Sequence, residues 1–95
     1  MSVIKVPLFP TGQIVATPGA IEAFEQNAQE PITFLKRHLT GDWGDVCAED
    51  AQENTAAVKD GYRILSAYHL NDDTKIWIIT ENDRSVTTFL LPSDY

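Results

Sequence analysis

The last third of the chain carries the hydrophobic pattern of β-strands. Residues 62–70, 75–81 and 85–91 are rich in β-branched and aromatic side chains, and the polar breaks between them have the composition of hairpin turns. Residues 76–79 are apolar at every position, which is typical of a central strand that is covered on both faces. The pattern therefore predicts a three-stranded antiparallel meander over residues 61–92.

The middle of the chain follows helical spacing. Thr17 and Pro18 predict a helix start, because threonine accepts hydrogen bonds from unpaired amides and proline at the first position loses none. The pattern restarts at Pro31 and stops at Gly41, which predicts a second helix. The residues expected to face the core in these two helices are Ile21, Phe24 and Ala28, and Ile32, Leu35 and Leu39.

A third helix is predicted at residues 46–60, with Asp45 as its N-cap and Gly61 as its end. The helix dipole favours carboxylates in a first turn, which accounts for the acidic residues there. The inner face would consist of small residues that allow close approach to a sheet: Cys47, Ala51, Thr55 and Val58.

The N-terminal segment is interrupted by two prolines and a glycine, so it is expected to form an extended arm with short strands at residues 3–6 and 13–16. Helices that precede strands along the chain predict an α+β fold rather than an alternating α/β fold. The length of 95 residues fits one small domain. Its expected parts are the arm at residues 1–16, a helical layer at 17–60 and the antiparallel sheet at 61–92.

The charge balance bears on the partners of this protein. Seven basic and 14 acidic residues give a net charge of −7, which opposes a nucleic-acid backbone and suits either solubility or a basic protein partner. No apolar run approaches the roughly 20 residues of a membrane span, and the single cysteine forms no internal disulfide. The sequence predicts a cytoplasmic protein with no cofactor and no metal. Strands at the sheet edges leave a homodimer open as an alternative.

A loop flanked by two glycines is the first candidate site. Loops of this kind frequently carry function, and Asp42, Trp43 and Asp45 are its candidate binding residues. His38, which precedes the loop, could act as a general base near neutral pH beside these carboxylates. In the structural alternative the loop only connects two helices, with Trp43 filling the core and Asp45 capping the next helix.

Two further chemistries at the same loop stay open. His38, Asp42, Asp45 and Cys47 carry atoms that could bind a metal, although Gly41 breaks the helix that would space the ligands. A Cys47–His38 dyad is a second alternative, although one cysteine on the inner face of a helix is usually an inert core residue.

The polar hairpin before the last strand is the second candidate site. Arg84 offers a planar, bidentate clamp for an anion, and Ser85 and Thr87 share one strand face because side chains alternate. With Asp83 and Thr88 they could bind a phosphate or a carboxylate. The structural alternative is a tight turn in which Asp83 bonds the backbone.

Aromatic residues mark the predicted sheet. A turn at residues 71–74 would place Tyr68 opposite Trp77 as a cross-strand pair. Such a pair belongs to the core or forms a platform for stacked bases, and the lack of a basic surface favours the core.

Several short segments together carry a resemblance to a known group of proteins. On these segments the chain resembles small uncharacterised bacterial proteins labelled plasmid-related or hypothetical, which occur on plasmids and integrated mobile elements. The resemblance implies a bacterial, cytoplasmic protein associated with mobile elements, and it assigns no catalytic residue. The segments are PLFP at 7–10, VATPGA at 15–20, His38 with GDWGD at 41–45, LSAY at 65–68, WIITE at 77–81, DRS at 83–85, TT at 87–88 and LP at 91–92.

Three functions follow from these observations. The first is a non-enzymatic accessory protein that binds another protein through its acidic surface and its exposed sheet or loop. The second is a small ribonuclease of the barnase/RelE class, which resembles this chain in the order of its helices and strands and departs from it in charge. The third is a domain that binds a small ligand or anion. The candidate catalytic set for the second function is His38, Arg84, Ser85 and Thr87.

Overall fold

The structure, a computed structural model, describes residues 6–95 of the chain. The α+β fold class predicted from the sequence is confirmed. The short strand expected at residues 3–6 lies outside the described residues, apart from Val6. In chain order the elements are β1 (Gln13–Ala16), α1 (Pro18–Asn27), α2 (Pro31–Leu39), α3 (Ala48–Asp60), β2 (Ile64–His69), β3 (Lys75–Thr80), β4 (Val86–Leu90) and a 3₁₀ turn (Pro92–Asp94).

The sheet is mixed and has four strands in the order β1-β4-β3-β2. Strands β2, β3 and β4 form the expected antiparallel meander with β3 in the interior. β1 pairs with β4 in parallel, with Gln13 opposite Val86 and Ala16 opposite Phe89. The prediction of a three-stranded antiparallel sheet is therefore wrong at one edge, because the arm contributes a fourth strand. Nearly the whole chain separates β1 from β4, so no local pattern indicates this pairing.

The register of the first hairpin differs from the predicted one by a single residue. Tyr68 lies opposite Ile76, and Trp77 lies opposite Ala67. Tyr68 and Trp77 consequently lie on opposite faces of the sheet, since neighbouring positions of a strand alternate. Trp77 packs edge-on against Tyr95 instead, with 5.8 Å between the ring centroids.

Helices α1 and α2 cover one face of the sheet. In-register pairing places Tyr68, Ile78 and Phe89 on that face, where they form the main core cluster. Phe24 of α1 packs against Phe89 at 5.8 Å between centroids, and Phe34 of α2 packs against Tyr68 at 5.4 Å. Burial of these rings from water is the main force that holds the helical layer on the sheet.

The buried stripes of α1 and α2 are rotated from the predicted ones. Ile21 and Ile32, expected to be inside, are 48% and 51% exposed. In α2 the rotation turns Ile32 outward and buries the ring of Phe34, which removes more apolar area from water than an isoleucine would. The residues buried in the two helices are Ala20, Ala23 and Phe24, and Phe34, Leu35 and His38.

The start and inner face of α3 also differ from the prediction. Cys47, rather than Asp45, is the N-cap, and it is exposed. The Asp45 carboxylate instead lies 2.7 Å from Nδ1 of His69. The helix buries Asn54 and Ala57, so a polar residue points inward. Of the predicted inner face, Ala51 and Val58 pack against the core in part, whereas Cys47 and Thr55 are exposed. The predicted end at residue 61 is confirmed by the left-handed glycine there.

Asn54 and a loop close the outer edge of β2. The Asn54 amide donates to the carbonyl of Leu65 at 2.7 Å and accepts from the amide of the same residue at 3.2 Å. Farther along, Ala67 accepts from the Asp45 amide at 2.6 Å and donates to the Trp43 carbonyl at 3.1 Å. The backbone groups that β2 turns outward at these two residues therefore have partners, which protects this edge from pairing with another strand.

Within residues 6–95, none of the helices has the length and apolar composition required to cross a membrane.

Candidate functional site

A chain of buried hydrogen bonds crosses three strands beneath α2. Nδ1 of His38 lies 2.5 Å from the Ser66 hydroxyl on β2, and Nε2 lies 2.9 Å from the Thr80 hydroxyl on β3. The Thr80 and Thr87 hydroxyls lie 2.8 Å apart, and Thr87 donates to the carbonyl of Thr11 at 2.8 Å. All four side chains are fully buried. We call His38, Ser66, Thr80 and Thr87 the polar core.

The hydrogen bond from Thr87 to the carbonyl of Thr11 fixes the direction of every other hydrogen bond in the polar core. A carbonyl oxygen only accepts, so the Thr87 hydroxyl donates to Thr11 and must itself accept from Thr80. Thr80 then accepts from Nε2–H of His38, and Nδ1 accepts from the Ser66 hydroxyl. The imidazole is therefore the neutral Nε2–H tautomer, and both of its nitrogens are occupied.

Burial and a nearby positive charge keep this imidazole neutral. Desolvation, with a smaller contribution from the charge of Arg84, lowers the pKa of His38 from 6.5 to about 3. A general base needs a nitrogen lone pair within hydrogen-bond reach of a substrate proton. In this arrangement the only lone pair already accepts from Ser66, so His38 connects α2 to the sheet and offers no site to a substrate.

Arg84 is anchored by backbone carbonyls. Its guanidinium donates to the carbonyls of Tyr62 at 2.6 Å, Ala57 at 2.8 Å and Glu81 at 3.1 Å. Its Cζ lies 5.5 Å from the centroid of the Phe9 ring. Arg84 thus joins the end of α3 to the β3–β4 turn, and its donors serve the protein's own backbone rather than an external anion.

Replacing Arg84 with alanine is expected to lower the free energy of unfolding by about 2–3 kcal/mol, because three carbonyls lose a charged donor. Arg84→Lys should recover less than half of this loss, because an ammonium group cannot reproduce the planar arrangement of N–H donors in a guanidinium group. Urea denaturation measures both changes. Arg63→Ala is the control, because that guanidinium donates to the exposed Tyr95 hydroxyl and should cost under about 1 kcal/mol. Equal losses for Arg84→Ala and Arg63→Ala would contradict the anchoring role.

The remaining candidates of the second site lie in a turn. Asp83 accepts from the amide of Ser85 at 3.0 Å, and hydrogen bonding to the Ser85 side chain, with that to its backbone, lowers the pKa of the Asp83 carboxyl. Ser85 is exposed and is not part of the polar core, whereas Thr87 belongs to it. Thr88 lies on the opposite face of β4 from Thr87 because strand positions alternate. The four candidate catalytic residues therefore do not converge on one accessible pocket.

The candidate loop of the first site is held by contacts within the protein. The Asp42 carboxylate accepts from Nε of Arg37 at 2.7 Å, and the Asp42 carbonyl accepts from the Tyr68 hydroxyl at 2.7 Å. Trp43 is buried and donates to the Thr55 hydroxyl at 3.3 Å. Asp45 is held by His69, as described above.

The two candidate sites are on different parts of the sheet. The loop pairs with the outer edge of β2 through a bridge between Gly44 and Ala67, whereas the second site begins β4. Strands β2 and β3 separate them in the sheet order. The two segments are thus separate structural turns. Within residues 6–95, no group of three or more histidine, cysteine or acidic side chains is arranged to hold a metal ion.

Two members of the polar core carry no signal in the sequence. Ser66 and Thr80 are small polar residues in strands, and such residues commonly face solvent. Only the register between β2, β3 and β4 shows that they lie beneath His38. No protein-family model, curated protein or solved structure matches this chain.

The outer side of β1 presents unpaired backbone. Gln13 and Thr17 donate their amides to the carbonyls of Ser85, just before β4, and Phe89 at 2.9 Å each. The alternation of a strand therefore turns the amide and carbonyl groups of Ile14 and Ala16 away from the sheet. Among the described residues 6–95, no strand pairs with that side. We call the outward backbone groups of Ile14 and Ala16 the β1 edge.

A groove with acidic side chains adjoins the β1 edge. It has a volume of about 330 Å³ and lies between β1 and the α1–α2 connection. Its apolar part includes Ala16 and Phe24, and its acidic side chains are Glu25 and Glu30. We call it the acidic groove. Ile14 and Ile21, which are 51% and 48% exposed, add apolar surface around it.

Proposed function

We propose that this protein is a non-enzymatic accessory protein that binds another protein by accepting a strand at the β1 edge. The observation that carries the proposal is that, among the described residues 6–95, no strand pairs with the outward backbone of Ile14 and Ala16, which lies beside exposed apolar side chains. An added strand would pair with those groups through main-chain hydrogen bonds, which is a recurring mode of peptide recognition.

The contrast between the two sheet edges supports this role. The β2 edge is closed by the Asn54 amide and by the loop at residues 43–45. Natural proteins also protect edges by keeping the edge strand short or by placing lysine, proline or a bulge in it; the strand Gln13–Ala16 is short, with four residues, and has no lysine, proline or bulge. In the part of the chain that the structure describes, one sheet edge is closed and the other, which is apolar, has no further strand, and these are the features of a strand-accepting surface.

The contacts of the candidate catalytic residues favour binding over the ribonuclease alternative. His38 is neutral, fully buried and saturated with hydrogen bonds, and Arg84 serves three backbone carbonyls. These contacts equally disfavour an anion site at Arg84. We further propose, on the resemblance alone, that the protein works in the bacterial cytoplasm in association with mobile elements.

A pull-down with two matched variants tests the proposed function. Proline at position 14 removes an outward amide without removing a hydrogen bond to β4, whereas Ile14→Thr loses the same apolar side chain and keeps the amide. We expect the wild type and Ile14→Thr to retain a partner from a bacterial lysate, and Ile14→Pro to lose it. Thermal unfolding confirms that both variants are folded.

Two results would overturn the proposed function. One is the absence of any retained partner at both low and high ionic strength. The other is retention of the same partner by a folded Ile14→Pro variant, which would place the binding surface elsewhere.

A further inference from the structure

We infer, on the basis of the proposed function, that the strand accepted at the β1 edge is an extended segment of another protein that places one large apolar side chain between lysine or arginine residues. The apolar side chain enters the acidic groove, and the basic side chains pair with Glu25 and Glu30. The inference rests on the register of β1, on the shape of the groove and on the distribution of charge.

The register of β1 decides where the side chains of an added strand point. Ile14 and Ala16 pair in register with Thr87 and Phe89, so their side chains lie on the helix-covered side of the sheet. A strand added to the β1 edge would run about 4.8 Å from β1 and place every second side chain on that same side. Because Ala16 lines the groove, those side chains enter it.

The size and lining of the acidic groove suit one large apolar group. Its volume is about 330 Å³, and Ala16, Ile21, Phe24 and Ala28 are among its lining residues. An apolar cavity of about 150 Å³ is enough to hold a benzene ring, so one leucine, isoleucine or phenylalanine side chain fits here. Burial of that side chain supplies a hydrophobic contribution that backbone pairing alone lacks.

The charge around the acidic groove determines which residues of the partner segment can flank its apolar side chain. Residues 6–35, which form β1, α1 and the groove, contain Glu22, Glu25 and Glu30 and no lysine or arginine. Asp94 adds a carboxylate at the end of β1, where it accepts from the Thr17 hydroxyl at 2.7 Å. Among the described residues, those that form β1, α1 and the groove therefore present carboxylates to an approaching segment, and lysine or arginine complements these carboxylates.

The same charge disfavours a second copy of this chain as the occupant. Each copy carries a net charge of −7, and a symmetric pairing of two β1 edges would bring both acidic grooves together. Like charges at such an interface oppose association. The basic segment of a different protein has no such opposition.

A pair of synthetic peptides tests the inference on the full-length protein. The first is the acetylated and amidated peptide Thr-Lys-Thr-Ile-Thr-Lys-Thr, in which isoleucine and both lysines share one strand face. The second replaces both lysines with glutamate. Binding is followed through the backbone amide signals in NMR titrations. We expect the lysine peptide to shift the amides of Ile14, Ala16 and Ala28, and the glutamate peptide to bind at least about tenfold more weakly.

Matched charge variants locate the contact. Glu25→Gln combined with Glu30→Gln removes both groove carboxylates, and Glu49→Gln combined with Glu53→Gln removes the same charge from α3. The first pair of substitutions should weaken the lysine peptide about fivefold, and the second pair should change its affinity less than about twofold. Equal weakening would overturn the groove contact, because it would reflect net charge alone.

The remaining outcomes separate this inference from the proposed function. If Ile14→Pro abolishes capture of a native partner while the two peptides bind equally well, the proposed function stands and the basic-segment inference is overturned. If sedimentation shows a dimer that Ile14→Pro dissociates, the occupant is a second copy, and the inference is again overturned. If the lysine peptide binds more tightly than the glutamate peptide but no captured partner depends on Ile14, the result supports the groove contact and counts against the accessory role.

Discussion

Gly44→Ala is expected to destabilise this protein by more than about 4 kcal/mol, the largest effect of any substitution considered for it. Gly44 has a φ of 74°, and a Cβ atom there would lie 2.0 Å from the carbonyl oxygen of Ala67 and 2.6 Å from the ring of Tyr68. The obstructing carbonyl belongs to β2, where it accepts the amide of Asp45, so it cannot move without breaking the closed edge of the sheet. Urea denaturation monitored by tryptophan fluorescence measures the loss.

Gly61→Ala separates backbone strain from steric conflict in that experiment. Gly61 has a φ of 79°, close to that of Gly44, and a Cβ atom there would meet nothing within 4 Å. Its substitution should cost only about 1–2 kcal/mol, the usual penalty for a left-handed alanine. Similar losses for the two variants would mean that the loop of Gly44 is held less tightly against β2 than its hydrogen bonds indicate.

Local signals predicted the helix ends of this fold. The Thr17 hydroxyl accepts from the amide of Ala20 at 3.2 Å, as its position before Pro18 suggested, and Gly61 ends α3. Each of these features depends on residues within one helical turn, so a single sequence displays them fully. The sequence predicts Asp45 as the N-cap of α3, but the Asp45 carboxylate is bound to His69 and Cys47 caps the helix.

Features that join distant segments were not visible in the sequence. The parallel pairing of β1 with β4 has no turn to mark it, and the strand itself is only four residues long. The one-residue error in the β2–β3 register arose at the turn, where Asp73 adopts a left-handed φ of 69° and the Leu70 amide bonds the Thr74 carbonyl. A shift of one residue moves a side chain to the other face, which is why the Tyr68 pairing was wrong.

The same limit applies to the polar core. His38 stood out in the sequence as a titratable residue beside a glycine-rich loop, and its partners did not. Ser66 and Thr80 have no distinctive spacing relative to the histidine, and they meet it only because β2 and β3 pair in register beneath α2. The chemistry of a buried histidine depends on these partners: the neutral tautomer follows from the Thr87 hydroxyl, nearly 50 positions further along the chain.

Acid is expected to unfold this protein through His38 before its carboxylates contribute. The folded state holds the pKa of this imidazole at about 3, against 6.5 for the unfolded chain, so the unfolded state binds the proton first as the pH falls. The contribution of His38 to the free energy of unfolding is fully present above pH 6.5 and is lost as the pH falls from 6.5 to about 3. Within this interval the free energy of unfolding falls by about 1.4 kcal/mol per pH unit. Between pH 6.5 and about 4.5 the free energy of unfolding should fall by about 2–3 kcal/mol.

The two histidines of the chain supply the variant and its control. His38→Gln removes the titrating group and should flatten the slope of stability in this interval, although it lowers stability at neutral pH. His69→Gln makes the same substitution at the exposed histidine, outside the polar core, and is the matched control. The stabilisation linked to the lowered carboxyl pKa values of Asp72, Asp83 and Asp94 is lost only below about pH 5, so it contributes little between pH 6.5 and about 4.5.

Imidazole ¹⁵N chemical shifts of the wild-type protein provide a second measurement that does not depend on the stability of any variant. They should show the neutral Nε2–H tautomer of His38 from pH 7 to below about pH 5, because Ser66 and Thr80 occupy both nitrogens. Protonation of His38 near pH 6.5 in the folded protein would contradict the buried network. It would also reopen catalysis at this residue, since a histidine that exchanges its proton at that pH is accessible to solvent and to a substrate.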